Sequence, residues 1–140
     1  MNNWTEKKII ENLIKYHRAE MEMFDPDNQI ENGLTVLDCI DNFIYYSILR
    51  FCGCGIREEA KKVILTALES CSRAEEDDGL EYREKVLGSC VYDNPMWMFV
   101  YYTLDSYRLI DHGTSIAHSW LTELGEMYLW VLRKLEEEES

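Results

Sequence analysis

Apolar residues recur at three- and four-residue steps along most of the chain, which is the spacing of one helix face. This pattern predicts helices over residues 4–24, 35–51, 57–72, 80–90, 95–111 and 122–135. Pro26, the pair Gly53 and Gly55, an acidic loop at 75–79 and Gly113 separate these segments. No repeat or flexible linker interrupts residues 1–140. We therefore predict a single, mainly α domain of five or six helices, with room for a small two-stranded β-hairpin near 113–120.

Three of these helices have recognisable start signals. Before the fifth segment, Asn94 can accept a hydrogen bond from a first-turn N–H, and Pro95 lacks an N–H that would otherwise have no partner. Asn3 and Glu6 have the spacing of a capping box for the first helix. Thr122 is predicted to cap the last helix.

The charge is strongly negative and unevenly distributed. The 140 residues include 14 basic and 27 acidic side chains, a formal net charge of −13, and residues 20–41 contain seven acidic residues and no basic one. Such a field keeps a small domain soluble, repels nucleic acid and attracts basic protein surfaces. We predict a non-enzymatic protein that binds a partner with a basic surface and contacts neither nucleic acid nor membrane. The acidic residues expected to contact the partner are Glu20, Glu22, Asp25, Asp27, Glu31, Glu75, Glu76, Asp77 and Asp78.

Residues 97–102 form a block of six consecutive large apolar or aromatic side chains. One helix cannot direct six consecutive side chains into a core, so part of the block must contact something else. Exposed aromatic residues commonly anchor protein interfaces. We predict Trp97 and Tyr101 as partner-binding aromatic residues, and the block also leaves room for a homodimer.

The cysteines allow a different interpretation. The chain has five cysteines, which is an odd number. The segment formed by its first eight residues is polar, and no apolar run approaches the length of a membrane span. These features predict free thiols and a cytoplasmic location, with no cofactor and no catalytic residue. As an alternative, Cys52 and Cys54 could bind zinc with His112 and His118, or Cys54 could act as a nucleophile with His112 as its base.

Residues 108–115, RLIDHGTS, and 120–125, WLTELG, resemble the wing of winged-helix domains, in which a strand leads into a Leu-Thr-x-x-Gly helix start. Residues 36–132 also resemble small proteins of bacteriophages and prophages of gut bacteria, a group to which no activity is assigned. The first resemblance implies a winged-helix-like transcriptional regulator as a second alternative. However, residues 112–120 contain no Lys or Arg, which DNA-binding wings normally use to contact phosphates. The negative charge, the small size, the lack of catalytic motifs and the phage resemblance favour a phage-encoded inhibitor of a host defence protein, acting as a DNA mimic.

Overall fold

The computed structural model describes residues 4–16 and 57–139. In these ranges the helices are α1 (Glu6–Tyr16), α2 (Arg57–Cys71), α3 (Gly79–Leu87), α4 (Pro95–Ser106) and α5 (Glu123–Glu139). Strands β1 (Ile110–Asp111) and β2 (Trp120–Leu121) pair antiparallel, and short 3-10 turns occur at Val91–Asp93 and Ile116–His118. The prediction of a mainly α domain with a small hairpin is confirmed. The helix predicted over 35–51 lies outside the described residues.

Two predicted helix starts are confirmed and one is corrected. Asn94 Oδ1 accepts a hydrogen bond from the N–H of Met96 at 3.0 Å, and Thr122 Oγ1 accepts one from the N–H of Gly125 at 3.0 Å. Helix α1 begins at Glu6 because Thr5 is its cap: the Thr5 hydroxyl accepts a bond from the N–H of Lys8 at 3.2 Å. The Asn3 side chain, predicted for this role, lies outside the described residues.

Helix α4 ends earlier than predicted. The pattern predicted a helix to residue 111 that ends at Gly113, whereas α4 ends at Ser106. The reason is Arg108, whose φ of 64° is the left-handed conformation that glycine usually supplies at a helix end. The N–H of Leu109 then bonds to the carbonyl of Leu104 at 3.0 Å, and β1 follows directly. Gly113 lies in the loop between the strands instead.

The core lies where α2, α4 and α5 meet. Tyr101 from α4 and Tyr128 from α5 are the largest fully buried side chains. They pack with aliphatic residues that recur at helical spacing, so the predicted apolar stripes account for most of the core. Burial of this area supplies the main favourable contribution to folding. The aliphatic members with zero exposure are Ile9, Ile64, Ala67, Leu68, Leu104, Leu109 and Val131.

A buried arginine attaches the hairpin loop to the core. Arg83, on α3, is only 3% exposed, and its guanidinium donates hydrogen bonds to the carbonyls of Ala117 and Ser119. Both carbonyls belong to the segment that joins β1 to β2. Because the loop itself contributes only one turn of 3-10 helix, these two bonds fix its position against α3.

A second set of contacts joins the end of α4 to the start of α5. The Thr122 hydroxyl donates to the carbonyl of Arg108 at 2.6 Å, and the Thr122 N–H donates to the carbonyl of Leu109 at 3.1 Å. Gly125 packs directly against the same Leu109 carbonyl. Helix α4, the hairpin and α5 therefore form one continuous packed unit.

Candidate functional site: an acidic surface

Most of the described carboxylates are exposed, whereas two of the described cationic side chains are buried. Between residues 57 and 139, thirteen acidic side chains are described as exposed, against only three basic ones, Lys62, Lys85 and Arg108. Lys61 and Arg83 are buried, at 7% and 3% exposure. The surface is consequently more acidic than the composition alone indicates. The thirteen are Glu59, Glu75, Glu76, Asp77, Asp78, Glu81, Glu84, Asp93, Asp111, Glu123, Glu126, Glu136 and Glu137.

Six of these carboxylates lie within the ten residues from 75 to 84, and we call this set the acidic ridge. Four of them lie in the loop between α2 and α3, and two lie on α3. Helix α3 buries Gly79, Arg83 and Leu87 at four-residue intervals, so the two glutamates on its exposed side point away from the core. The ridge consists of Glu75, Glu76, Asp77, Asp78, Glu81 and Glu84.

Arg73 organises part of the acidic ridge. Its Nε bonds to Glu76 Oε2 at 2.6 Å, and one terminal nitrogen contacts both carboxylate oxygens of Asp78 at 2.9 Å. The hydrogen bond to Glu76 is the main cause of the raised pKa of Arg73. Glu75 and Asp77 make no hydrogen bond or ion pair with the described part of the chain. Their full charges are therefore available to a partner.

The structure describes only some of the acidic residues that were predicted to contact a partner. The loop residues 75–78 are exposed and adjacent to one another, as a contact surface requires. Glu81 and Glu84 were not predicted as part of it, although their three-residue spacing opposite the buried stripe of α3 would have indicated a shared face. The other predicted acidic residues lie outside the described ranges: Glu20, Glu22, Asp25, Asp27 and Glu31.

The structure buries both Trp97 and Tyr101, the aromatic residues that were predicted to contact a partner. Trp97 is 7% exposed and its indole N–H donates to the carbonyl of Leu87 at 3.0 Å. Tyr101 has no exposed surface, and its hydroxyl lies 2.6 Å from the hydroxyl of Ser70. Positions 97, 100, 101 and 104 have the spacing of one helix face, and that face is the buried one. Neither aromatic residue can reach a partner while α4 stays in place.

The candidate thiol and zinc residues are not brought together within the described residues. Cys52 and Cys54 lie outside them. His112 Nε2 is 3.6 Å from Asp105 Oδ1, and His112 Nδ1 is 2.8 Å from the carbonyl of Gly113. His118 is exposed on the 3-10 turn. In the ranges 4–16 and 57–139, no group of three or more His, Cys, Asp or Glu side chains could hold a metal ion.

The two described cysteines should differ in reactivity. Cys71 is 2% exposed, and burial is the main reason that the pKa of its thiol is raised, whereas Cys90 is partly exposed. Alkylation requires an accessible thiolate. Brief treatment of the native protein with iodoacetamide should therefore modify Cys90 and leave Cys71 unmodified, as mapped by peptide mass spectrometry. In urea both should react, and equal modification in the native protein would contradict the packing of α2.

A cavity of about 310 Å³ opens between Trp4, which precedes α1, the residues that follow α2, and helices α3 and α5. Aromatic side chains form much of its wall, including Trp4, Tyr82 and Trp130. Its two arginines already have acidic partners: Arg73 binds the acidic ridge, and Arg133 bonds to Glu69 Oε1 at 2.6 Å. The cavity wall is therefore mostly apolar, with both arginines paired and Glu126 as the carboxylate that lines it.

None of the described helices combines the length and the apolar character that crossing a membrane would require. Comparison with protein-family models, with curated proteins and with solved structures gave no match.

Proposed function

We propose that this protein binds a partner protein through the acidic ridge and thereby occupies a basic surface with which that partner binds nucleic acid. In its most specific form, the protein is a phage-encoded inhibitor of a host defence protein. The observation that supports the proposal is the imbalance of exposed charge: thirteen carboxylates against three cations among the side chains that the structure describes between residues 57 and 139.

Carboxylates are suitable substitutes for phosphates on such a surface. Both accept short, charge-assisted hydrogen bonds from Arg and Lys. The ridge presents its carboxylates from a helix and from a loop that Arg73 holds in place, so little ordering is needed on binding. Long-range attraction between opposite charges also accelerates encounter. Binding through the ridge should therefore be fast and sensitive to salt.

Affinity capture on the full chain tests this function. The immobilised protein is exposed to a lysate of a host bacterium at about 0.05 M salt, where charges act over roughly 14 Å, and is eluted with a salt gradient. We expect one basic protein to elute at moderate salt and to be released also by a double-stranded DNA oligonucleotide at low salt.

Release by DNA is the decisive observation, because it requires that the acidic protein and DNA compete for one surface. A partner that stays bound in excess DNA would contradict the proposed competition. Direct binding of DNA by the chain itself would instead support the winged-helix-like regulator.

A further inference from the structure

Helix α4 exposes an apolar stripe, which we define as Met96, Phe99 and Tyr102. These side chains are 48%, 54% and 52% exposed. They recur at three-residue steps along the outer side of the helix, opposite the face that carries Trp97 and Tyr101 into the core. Three large, half-exposed side chains in a row are unusual for a surface that contacts only water.

Carboxylates border the apolar stripe at both ends. Asp93 is exposed two residues before α4 begins, and Asp105, whose Oδ1 lies 3.6 Å from His112 Nε2, is partly exposed in the last turn of α4. Helix α4 contains no Lys or Arg, and the first basic residue after it is Arg108. At a helical rise of 1.5 Å per residue, the helix from Pro95 to Asp105 spans roughly 15 Å, and Asp93 lies two residues before it. The surface thus has an apolar centre and two negative ends.

We propose that the apolar stripe binds an apolar helix of a partner protein that carries Lys or Arg at both ends of its contact surface. Phe99 and Tyr102 are the anchors, because rigid aromatic side chains bury much area for little loss of conformational freedom. Asp93 and Asp105 select the partner by charge. This contact is separate from the acidic ridge and does not depend on its function.

Charge complementarity selects such a partner over a second copy of this chain. In a two-fold symmetric pair of α4 helices, an antiparallel arrangement places Asp93 of one copy beside Asp105 of the other, and a parallel arrangement places equal residues together. Either arrangement brings carboxylates together at both ends of the contact, and each copy has a net charge of −13. Like charges across an interface oppose association, whereas a Lys or Arg at each end would pair with them.

A synthetic peptide provides the test. The probe is a fluorescent 18-residue helical peptide with Leu at three- and four-residue steps and Lys at its ends, and the matched peptide has Glu in place of Lys. Anisotropy at about 0.15 M salt compares wild type with Phe99→Ser/Tyr102→Ser, which leaves every charge of the protein unchanged. We expect wild type to bind the Lys peptide, and the double variant to bind it at least about tenfold more weakly.

Two further variants separate the contributions. The double variant Asp93→Asn/Asp105→Asn should bind the Lys peptide several-fold more weakly than wild type does. Leu80→Ser removes an exposed apolar side chain elsewhere and should have no effect. Equal binding of the Lys peptide to wild type and to the Phe99/Tyr102 variant would overturn the proposal, because attraction to net charge alone would then explain it. Equal binding of the Glu peptide would also overturn it.

The stripe could instead be covered by a second copy of the chain or by another part of the same chain, and each of these gives a distinct result. A wild-type dimer in sedimentation experiments that becomes monomeric in Phe99→Ser/Tyr102→Ser would assign the stripe to a second copy. A fall in Tm of more than about 5 °C in that variant would show that the chain itself covers the stripe, because exposed substitutions normally shift Tm by less than that. Either result would overturn the proposal.

Discussion

Replacing Gly125 with alanine is expected to destabilise the domain by about 3 kcal/mol or more, as measured by urea unfolding followed by circular dichroism. A Cβ at this position would overlap the carbonyl oxygen of Leu109 and lie 2.9 Å from its carbonyl carbon. Backbone atoms cannot rotate away as the end of a flexible side chain can, so α5 would have to move from the hairpin. That movement would break the bonds from Thr122 to the carbonyls of Arg108 and Leu109.

The sign of this effect is diagnostic. At an exposed helix position, replacing glycine with alanine stabilises the helix by up to about 1 kcal/mol. Helix propensity alone would therefore predict that Gly125→Ala stabilises the domain. Gly113→Ala is the matched control, since nothing lies within 4 Å of a Cβ placed there. It should change the free energy of unfolding by less than about 0.5 kcal/mol. Stabilisation by Gly125→Ala would show that α5 does not approach Leu109 as described.

Replacing Arg83 with methionine should also cost about 3 kcal/mol of stability. Methionine fills much of the same volume but leaves the buried carbonyls of Ala117 and Ser119 without their donors. Hydrogen bonds to a charged group contribute roughly 1.5–3 kcal/mol each, and part of this is offset because a buried charge no longer has to be desolvated. Thermal and urea unfolding of the full chain measure the loss.

Two controls isolate the role of the guanidinium. Lys85→Met changes an exposed cation on the same helix and should be nearly neutral. Arg83→Lys keeps the charge, but lysine cannot supply two divergent donors from a planar group. This variant should therefore recover less than half of the stability that Arg83→Met loses. Full recovery by lysine would mean that charge, rather than the paired bonds to the hairpin loop, is what matters at this site.

Local sequence signals predicted the helix starts, whereas tertiary contacts determined where α4 ends. Asn94 and Thr122 bond to N–H groups two or three residues further on, so their role is encoded in a short segment. The left-handed Arg108 is different. Its carbonyl accepts the bond from the Thr122 hydroxyl, fourteen residues away, and no local pattern indicates that contact.

The aromatic block shows a second limit of sequence patterns. Every residue from 97 to 102 is large and apolar or aromatic, so periodicity allows several faces of α4 to be the buried one. Contacts with Leu87 and Ser70, on other helices, bury Trp97 and Tyr101 and leave Phe99 outside. The acidic loop could be predicted because four consecutive carboxylates have no stable position inside a core.

The measurement that tests the proposed function most directly is the dissociation constant of the captured basic partner for two variants with equal net charge. The ridge variant replaces four exposed carboxylates by amides: Glu75→Gln, Asp77→Asn, Glu81→Gln and Glu84→Gln. The scattered variant replaces four exposed carboxylates elsewhere: Glu59→Gln, Glu123→Gln, Glu126→Gln and Glu136→Gln. At about 0.05 M salt, the ridge variant should bind at least about tenfold more weakly than wild type, and the scattered variant less than about threefold. If both variants bound the partner equally weakly, the acidic ridge would not be the binding surface. Its charge would then contribute only to solubility.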